Sequence, residues 1–122
     1  MRLVIIESPC KAITPWMWGR NKRYAVACIR DCLNRGETPY ASHVILAFSG
    51  ALDDRHGIER EEGINAGLAW IDAVEKVVVY QDFGVSPGML RGIENAKKHG
   101  VPVEFRKIGT KSIHLALSPM CA

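Results

Sequence analysis

Long apolar runs, an amino-terminal signal pattern, CxxC pairs, internal repeats and a strong excess of one charge are all missing from this 122-residue sequence. With no apolar stretch of membrane-spanning length and no signal pattern, the chain reads as soluble and cytoplasmic, with no membrane partner. A net charge of +3 at pH 7 is too small and too dispersed to hold a duplex, so no nucleic-acid polymer is expected as a partner. Arg20, Lys22 and Arg23 favour an anionic ligand only locally. The four cysteines, Cys10, Cys28, Cys32 and Cys121, lack metal-ligand spacing. Cys28 and Cys32 share a helical face and read as small buried hydrophobes, so no metal, cofactor or disulfide is expected.

What is present is the make-up of one domain. Hydrophobic residues at 48% and charged residues at 24% are ordinary globular values, and a chain of this length buries a core without staples. The organising stretch is KVVVYQDFGVSPGMLRGIENAKKHGVP, Lys76 to Pro102. The apolar run Val77 to Tyr80 predicts a strand buried on both faces, and the loop after it turns directly into a helical pattern. Ser86 suits the N-cap and Pro87 the first helical position, where no donor is needed. Gly84 and Gly88 let backbone approach a ligand, and a helix start offers N–H groups and partial positive charge to a phosphate. Asp82 sits at the carboxyl end of the strand, where open α/β sheets bind ligands and where a carboxylate accepts from a sugar hydroxyl. An ordinary βα turn with an Asp and a cap would read the same way.

Taken in order, Leu3 to Ile6 predict a central first strand that ends at Glu7-Ser8-Pro9. A long loop with Trp16 and Trp18 follows; its tryptophans pack on the domain, line a pocket mouth or sit in a subunit interface. Ala25, Cys28, Ile29, Cys32 and Leu33 predict a helix from Lys22 to Asn34, capped by Asn21 and ended by Gly36. Tyr40 to Ser42 predict a short second strand, with His43 at its end on the ligand side. A single His without a visible partner specifies no chemistry, so a structural role stands beside a functional one. Gly50 to Gly57 reads as a loop, and Ile58 to Ala73 as a helix on which Glu61 or Glu62 reaches the sheet edge as well as water. Met89, Ile93 and Ala96 are the buried stripe of the next helix, Val101 to Phe105 a further strand, and Ile113, Leu115 and Leu117 an edge strand or a segment crossing to a partner subunit. The fold class that follows is α/β, a three-layer sandwich with a mainly parallel sheet of four to five strands.

The strand-end ESP, the PYASH segment, ALDD followed by ER and GINAGLAW, and VVVYQDFGVSPGM with GVPVEFR resemble small, often phage-encoded members of the nucleoside 2-deoxyribosyltransferase-like superfamily, over about Leu3 to Arg106. The resemblance implies a flavodoxin-like, Rossmann-like sheet, a nucleoside or nucleotide in the cleft, and a homodimer or higher homo-oligomer. It would place a phage-encoded chain in the host cytoplasm. It implies ligand contacts from Glu7, Ser8, Pro9, Asp82, Gly84, Ser86, Gly88 and Met89. The family's glutamate near the helix start, which attacks or stabilises the anomeric carbon, does not follow: alignment puts Leu90 or Gly92 in its place. Glu7, Glu61, Glu62 and Asp82 are the carboxylates that can replace it. On the enzymatic reading, a nucleotide N-glycosidase or deoxyribosyltransferase, Asp82 orients sugar or base, Glu61 or Glu62 faces C1′, and His43 is the acid that protonates the departing base. The alternative is a protein that binds a nucleotide, or a nucleotide-derived signal, without cleaving it. A vestigial cleft in an interaction module is the third reading.

Overall fold

The computed structural model of the protein describes residues 2–53, 55–109, 111 and 113. Four strands, β1 (Arg2–Glu7), β2 (Glu37–Tyr40), β3 (Lys76–Tyr80) and β4 (Val103–Arg106), form one all-parallel sheet in the order β2-β1-β3-β4. Val4 to Ile6 and Val77 to Tyr80 are buried at every position, because both faces of the two central strands are covered by helices. The fold is α/β and flavodoxin-like. Its strand order reverses at β1: the chain first runs outward to β2, then returns across β1 to β3 and β4. The connections leaving β1 and β3 therefore go to opposite faces of the sheet, leaving a crevice of the kind in which such sheets bind ligands.

Helix α1 (Pro15–Asn34) covers one face, burying Tyr24, Cys28 and Cys32 against Val4, Ile6, Val78 and Tyr80. On the other face, α3 (Pro87–Lys98) packs Met89, Ile93 and Ala96, with Ile71 beside them, against Ile5, Val77 and Val79. Beside α3 lie α2 (Gly57–Leu68) and a short 3-10 turn, Ala69–Ala73.

Several boundaries differ from the sequence expectation, each for a local reason. Helix α1 starts at Pro15, within the stretch expected to be a loop. Thr14 caps it, its hydroxyl accepting from the Met17 N–H at 3.1 Å, and Pro15 takes the first helical position. Asn21 is therefore not a cap; it is buried inside the helix, and its amide donates to the carbonyls of Cys10 and Lys11, 3.3 Å each. The second strand is Glu37–Tyr40, not Tyr40 to Ser42; β2 is an edge strand, where Pro39 is tolerated. After it comes a π-helical turn, Val44–Phe48, where none was expected. The helix expected from Ile58 to Ala73 tightens to 3-10 geometry after Leu68 as Ile71 turns into the core. Strand β4 starts at Val103, after Pro102. Of the segment expected as an edge strand, Leu115 and Leu117 lie outside the described residues, as does Cys121, while Ile113 packs against the α1-side core.

Beneath the sheet runs a charged network that the sequence does not announce. Arg106 and Glu37, both side chains 4% exposed, pair through two hydrogen bonds of 2.7 Å, and Lys76 reaches Glu37 at 3.0 Å. The Arg106 guanidinium, with Lys76 assisting against the burial, holds the Glu37 carboxyl down to about 2.

Candidate functional site

At the crevice between β1 and β3 lies a cavity of about 80 Å³. Strand β1 delivers Glu7 and Ser8 to it, the turn after β2 delivers Ser42, His43, Leu46 and Ala47, and the start of α3 delivers Ser86, Gly88 and Met89. Its roof is one face of α2, namely Glu59, Arg60, Gly63, Ile64, Gly67 and Leu68, spaced so that successive turns look inward. No residue of α2 is buried. This helix covers a cavity rather than filling a core, and Gly67 lets it come close: a Cβ there would stand 2.6 Å from the Ser42 hydroxyl oxygen.

Glu7 is the last residue of β1, and its carboxyl group lies against Gly92 of α3, where a Cβ would collide with both carboxyl oxygens. The space that a side chain at 92 would fill is thus occupied by the carboxyl of another element. Burial pushes this carboxyl up to about 8, so at neutral pH it is mostly protonated. Next to it, the Ser8 hydroxyl and His43 Nε2 are 2.6 Å apart, with Ser8 4% exposed. Burial lowers His43 to about 4, which leaves its ring neutral at pH 7. His43 also packs edge-on to Phe48, with ring centroids 5.7 Å apart. One cavity therefore holds a carboxylic acid and a neutral imidazole, their titrations pushed in opposite directions by the same burial.

The first turn of α3 is capped as expected, with Ser86 Oγ accepting from the Met89 N–H at 3.3 Å. Arg60 approaches it from α2: its Nη2 lies 3.4 Å from where a Cβ on Gly88 would stand. Lys11 lines the same cavity.

Of the residues singled out from sequence, Glu7, Ser8, His43, Ser86, Gly88 and Met89 meet in this one space. The others stand elsewhere. Pro9 is buried behind the loop, and Gly84 is exposed, its φ of 85° suiting the turn out of β3. Asp82 leaves β3 at the expected end, but its carboxylate is engaged by the Tyr24 hydroxyl and by the N–H groups of Ile108 and Gly109, at 3.0 and 3.3 Å. It pins the segment after β4 to α1. Glu61 is on the outer surface in a two-bond pair with Arg91, at 2.7 and 3.1 Å, and Glu62 is exposed. Lys11, Ser42, Glu59 and Arg60 line the cavity and had not been singled out. Small residues at Gly63 and Gly67 were the available signal for which face of α2 turns inward, and that face carries Glu59 and Arg60 rather than Glu61 and Glu62.

Beside the cavity runs a groove of about 680 Å³, lined by Trp18, Phe48, Ile13, Asp53 and Arg55 among others. Ala47 and Leu52 line both spaces. Trp18 and Phe48 meet edge to face, centroids 4.7 Å apart, so this tryptophan forms a pocket wall, while Trp16 stays exposed beneath Arg20. Among the described residues, no helix is long and apolar enough to cross a membrane.

No curated protein and no solved structure matches the chain. Residues 2–106 match a family described as a domain of unknown function, DUF7768, and with β1 to β4 and α1 to α3 inside that span, this chain belongs to that family.

Proposed function

We propose that the crevice between β1 and β3 binds a nucleoside or nucleotide and that the protein acts on its N-glycosidic bond, as a nucleoside 2-deoxyribosyltransferase-like protein. The observation that carries this reading is the Glu7 carboxyl seated over Gly92, in the same cavity as His43. Gly92 is one of the two positions at which the superfamily's glutamate would fall. Glu7 supplies a carboxyl group there from the end of β1, held neutral by burial and so suited to give a proton rather than to attack.

The roles exchange relative to the sequence expectation. Protonated Glu7 gives its proton to the departing base, and neutral His43 accepts one from the water or acceptor hydroxyl that attacks C1′. The Gly88 N–H at the start of α3, with Arg60 and Lys11, suits a phosphate. A volume of about 80 Å³ is well below the 300 Å³ or more typical of small-molecule sites, so only the reacting part of the ligand fits in the cavity. The remainder extends past Ala47 and Leu52 into the groove.

The test is base release from a panel of nucleosides and nucleoside monophosphates. Glu7→Gln keeps the shape and removes the proton donor, and the expected loss is about 10²- to 10⁴-fold. An unchanged rate would remove Glu7 from the chemistry. A second reading, binding without cleavage, is favoured by Leu90, which is half-exposed and does not line the cavity. Retention of an intact nucleotide with no base release would establish it.

A further inference from the structure

Ser8 and His43 lie 35 positions apart, one at the end of β1 and the other after β2, yet their side chains meet at 2.6 Å on the wall of a cavity rather than within the core. A hydroxyl within hydrogen-bond reach of an imidazole nitrogen is the central contact of an activated nucleophile, and here the ring is held by its edge-on packing against Phe48. Burial keeps the ring neutral at pH 7, so Nε2 can carry a free lone pair toward the hydroxyl. In the tautomer with hydrogen on Nδ1, the Ser8 hydroxyl donates to Nε2, which is the direction activation requires. Around the pair, Arg60, Lys11 and Gly88 line the same cavity, and the two cationic side chains can stabilise an oxyanion.

We propose that Ser8 and His43 form a nucleophile and base pair that gives this protein a second activity, hydrolysis of short-chain carboxylic esters through an acyl-Ser8 intermediate. The Ser8 Oγ–acyl carbon bond forms as the hydroxyl proton passes to His43 Nε2. The bond from carbonyl carbon to alkoxy oxygen breaks, and the leaving alcohol takes that proton away. Water then attacks the acyl carbon, giving its proton to Nε2; Oγ departs and takes the proton back, so the enzyme is regenerated with one ester converted to one acid and one alcohol. A cavity of about 80 Å³ holds a few water-sized groups, the bulk of an acetyl rather than of a long acyl chain. The activity does not depend on the nucleotide reading.

Two probes test it on the full chain. Methanesulfonyl fluoride, whose sulfonyl group is comparable in size to an acetyl group, should leave one sulfonyl group on the peptide containing Ser8, and 4-nitrophenyl acetate should leave an acetyl group there after an acid quench. His43→Gln should slow sulfonylation about 100-fold or more, with the fold checked by circular dichroism. Ser8→Ala should give no adduct at that peptide. Wild-type peptide mapping alone decides the first point even if a variant fails to fold: adducts on Lys11 or elsewhere with none on Ser8 overturn the proposal, as does a folded His43→Gln that is modified at the wild-type rate.

Discussion

Replacing Glu7 by Gln should change how stability depends on pH, independently of any substrate. In the unfolded chain this carboxyl titrates near the ordinary 4.5, whereas in the fold burial raises it to about 8. Between those values the folded chain keeps a proton that the unfolded chain has lost, so stability falls as pH rises. Each unit is worth about 1.4 kcal/mol, which sets a ceiling on the order of 5 kcal/mol over the whole window. His43 acts with the opposite sign. Its folded value of about 4 lies below the ordinary 6.5, so the unfolded ring binds a proton that the folded ring does not, and stability rises from pH 4 to 6.5 and no further. The two slopes oppose each other below pH 6.5; above it Glu7 acts without His43. Urea denaturation of the wild type should therefore show a loss of about 2 kcal/mol between pH 6.5 and 8, levelling off beyond. Glu7→Gln carries no titrating group and should be less dependent on pH across that window by the same amount. If the two proteins lose stability in parallel above pH 6.5, the carboxyl is not held in its neutral form and the acid assigned to the cavity is lost.

Gly92→Ala should destabilise the wild type by about 1–3 kcal/mol, because its Cβ must displace the Glu7 carboxyl; in a Glu7→Ala background the same change should cost far less, and equal costs in a double-mutant cycle would refute the contact. Arg106→Met leaves Glu37 buried and should cost about 3 kcal/mol by chemical denaturation, near the low end for a broken buried pair because Lys76 still bridges Glu37. A change within 0.5 kcal/mol, on the order of a surface substitution, would argue against a buried network. Asp82→Asn should lower stability by about 1–2 kcal/mol through its bonds to Tyr24, Ile108 and Gly109. Glu61→Gln should leave base release within twofold of the wild type, since Glu61 faces Arg91 on the outer surface; a large loss would return that residue to the site.

Much of the framework was legible because its causes are local. The run Val77 to Tyr80, the cap at Ser86 with Pro87 after it, and the stripe Met89, Ile93, Ala96 each state their structure within a few residues. The start of α1 was missed because its tryptophan-rich first turn lacks an apolar period, although Thr14-Pro15 is itself a start signal. Helix α2 misled for a related reason: it faces a cavity, so its inward side mixes Ile64 and Leu68 with Glu59, Arg60 and glycines instead of a continuous hydrophobic stripe, and Glu61 and Glu62 looked equally eligible.

By itself, the sequence determined the alternation of strands and helices, and hence the parallel sheet and its crevice, because apolar period and capping act over a few residues. Only the tertiary structure decided which polar groups share that crevice. The seating of Glu7 depends on the missing side chain of Gly92, and the neutrality of His43 depends on enclosure beside Ser8. Desolvation is set by everything packed around a group, from whichever part of the chain it comes, so the same carboxyl that is an ordinary acid in the linear sequence is held neutral only when the fold closes over it.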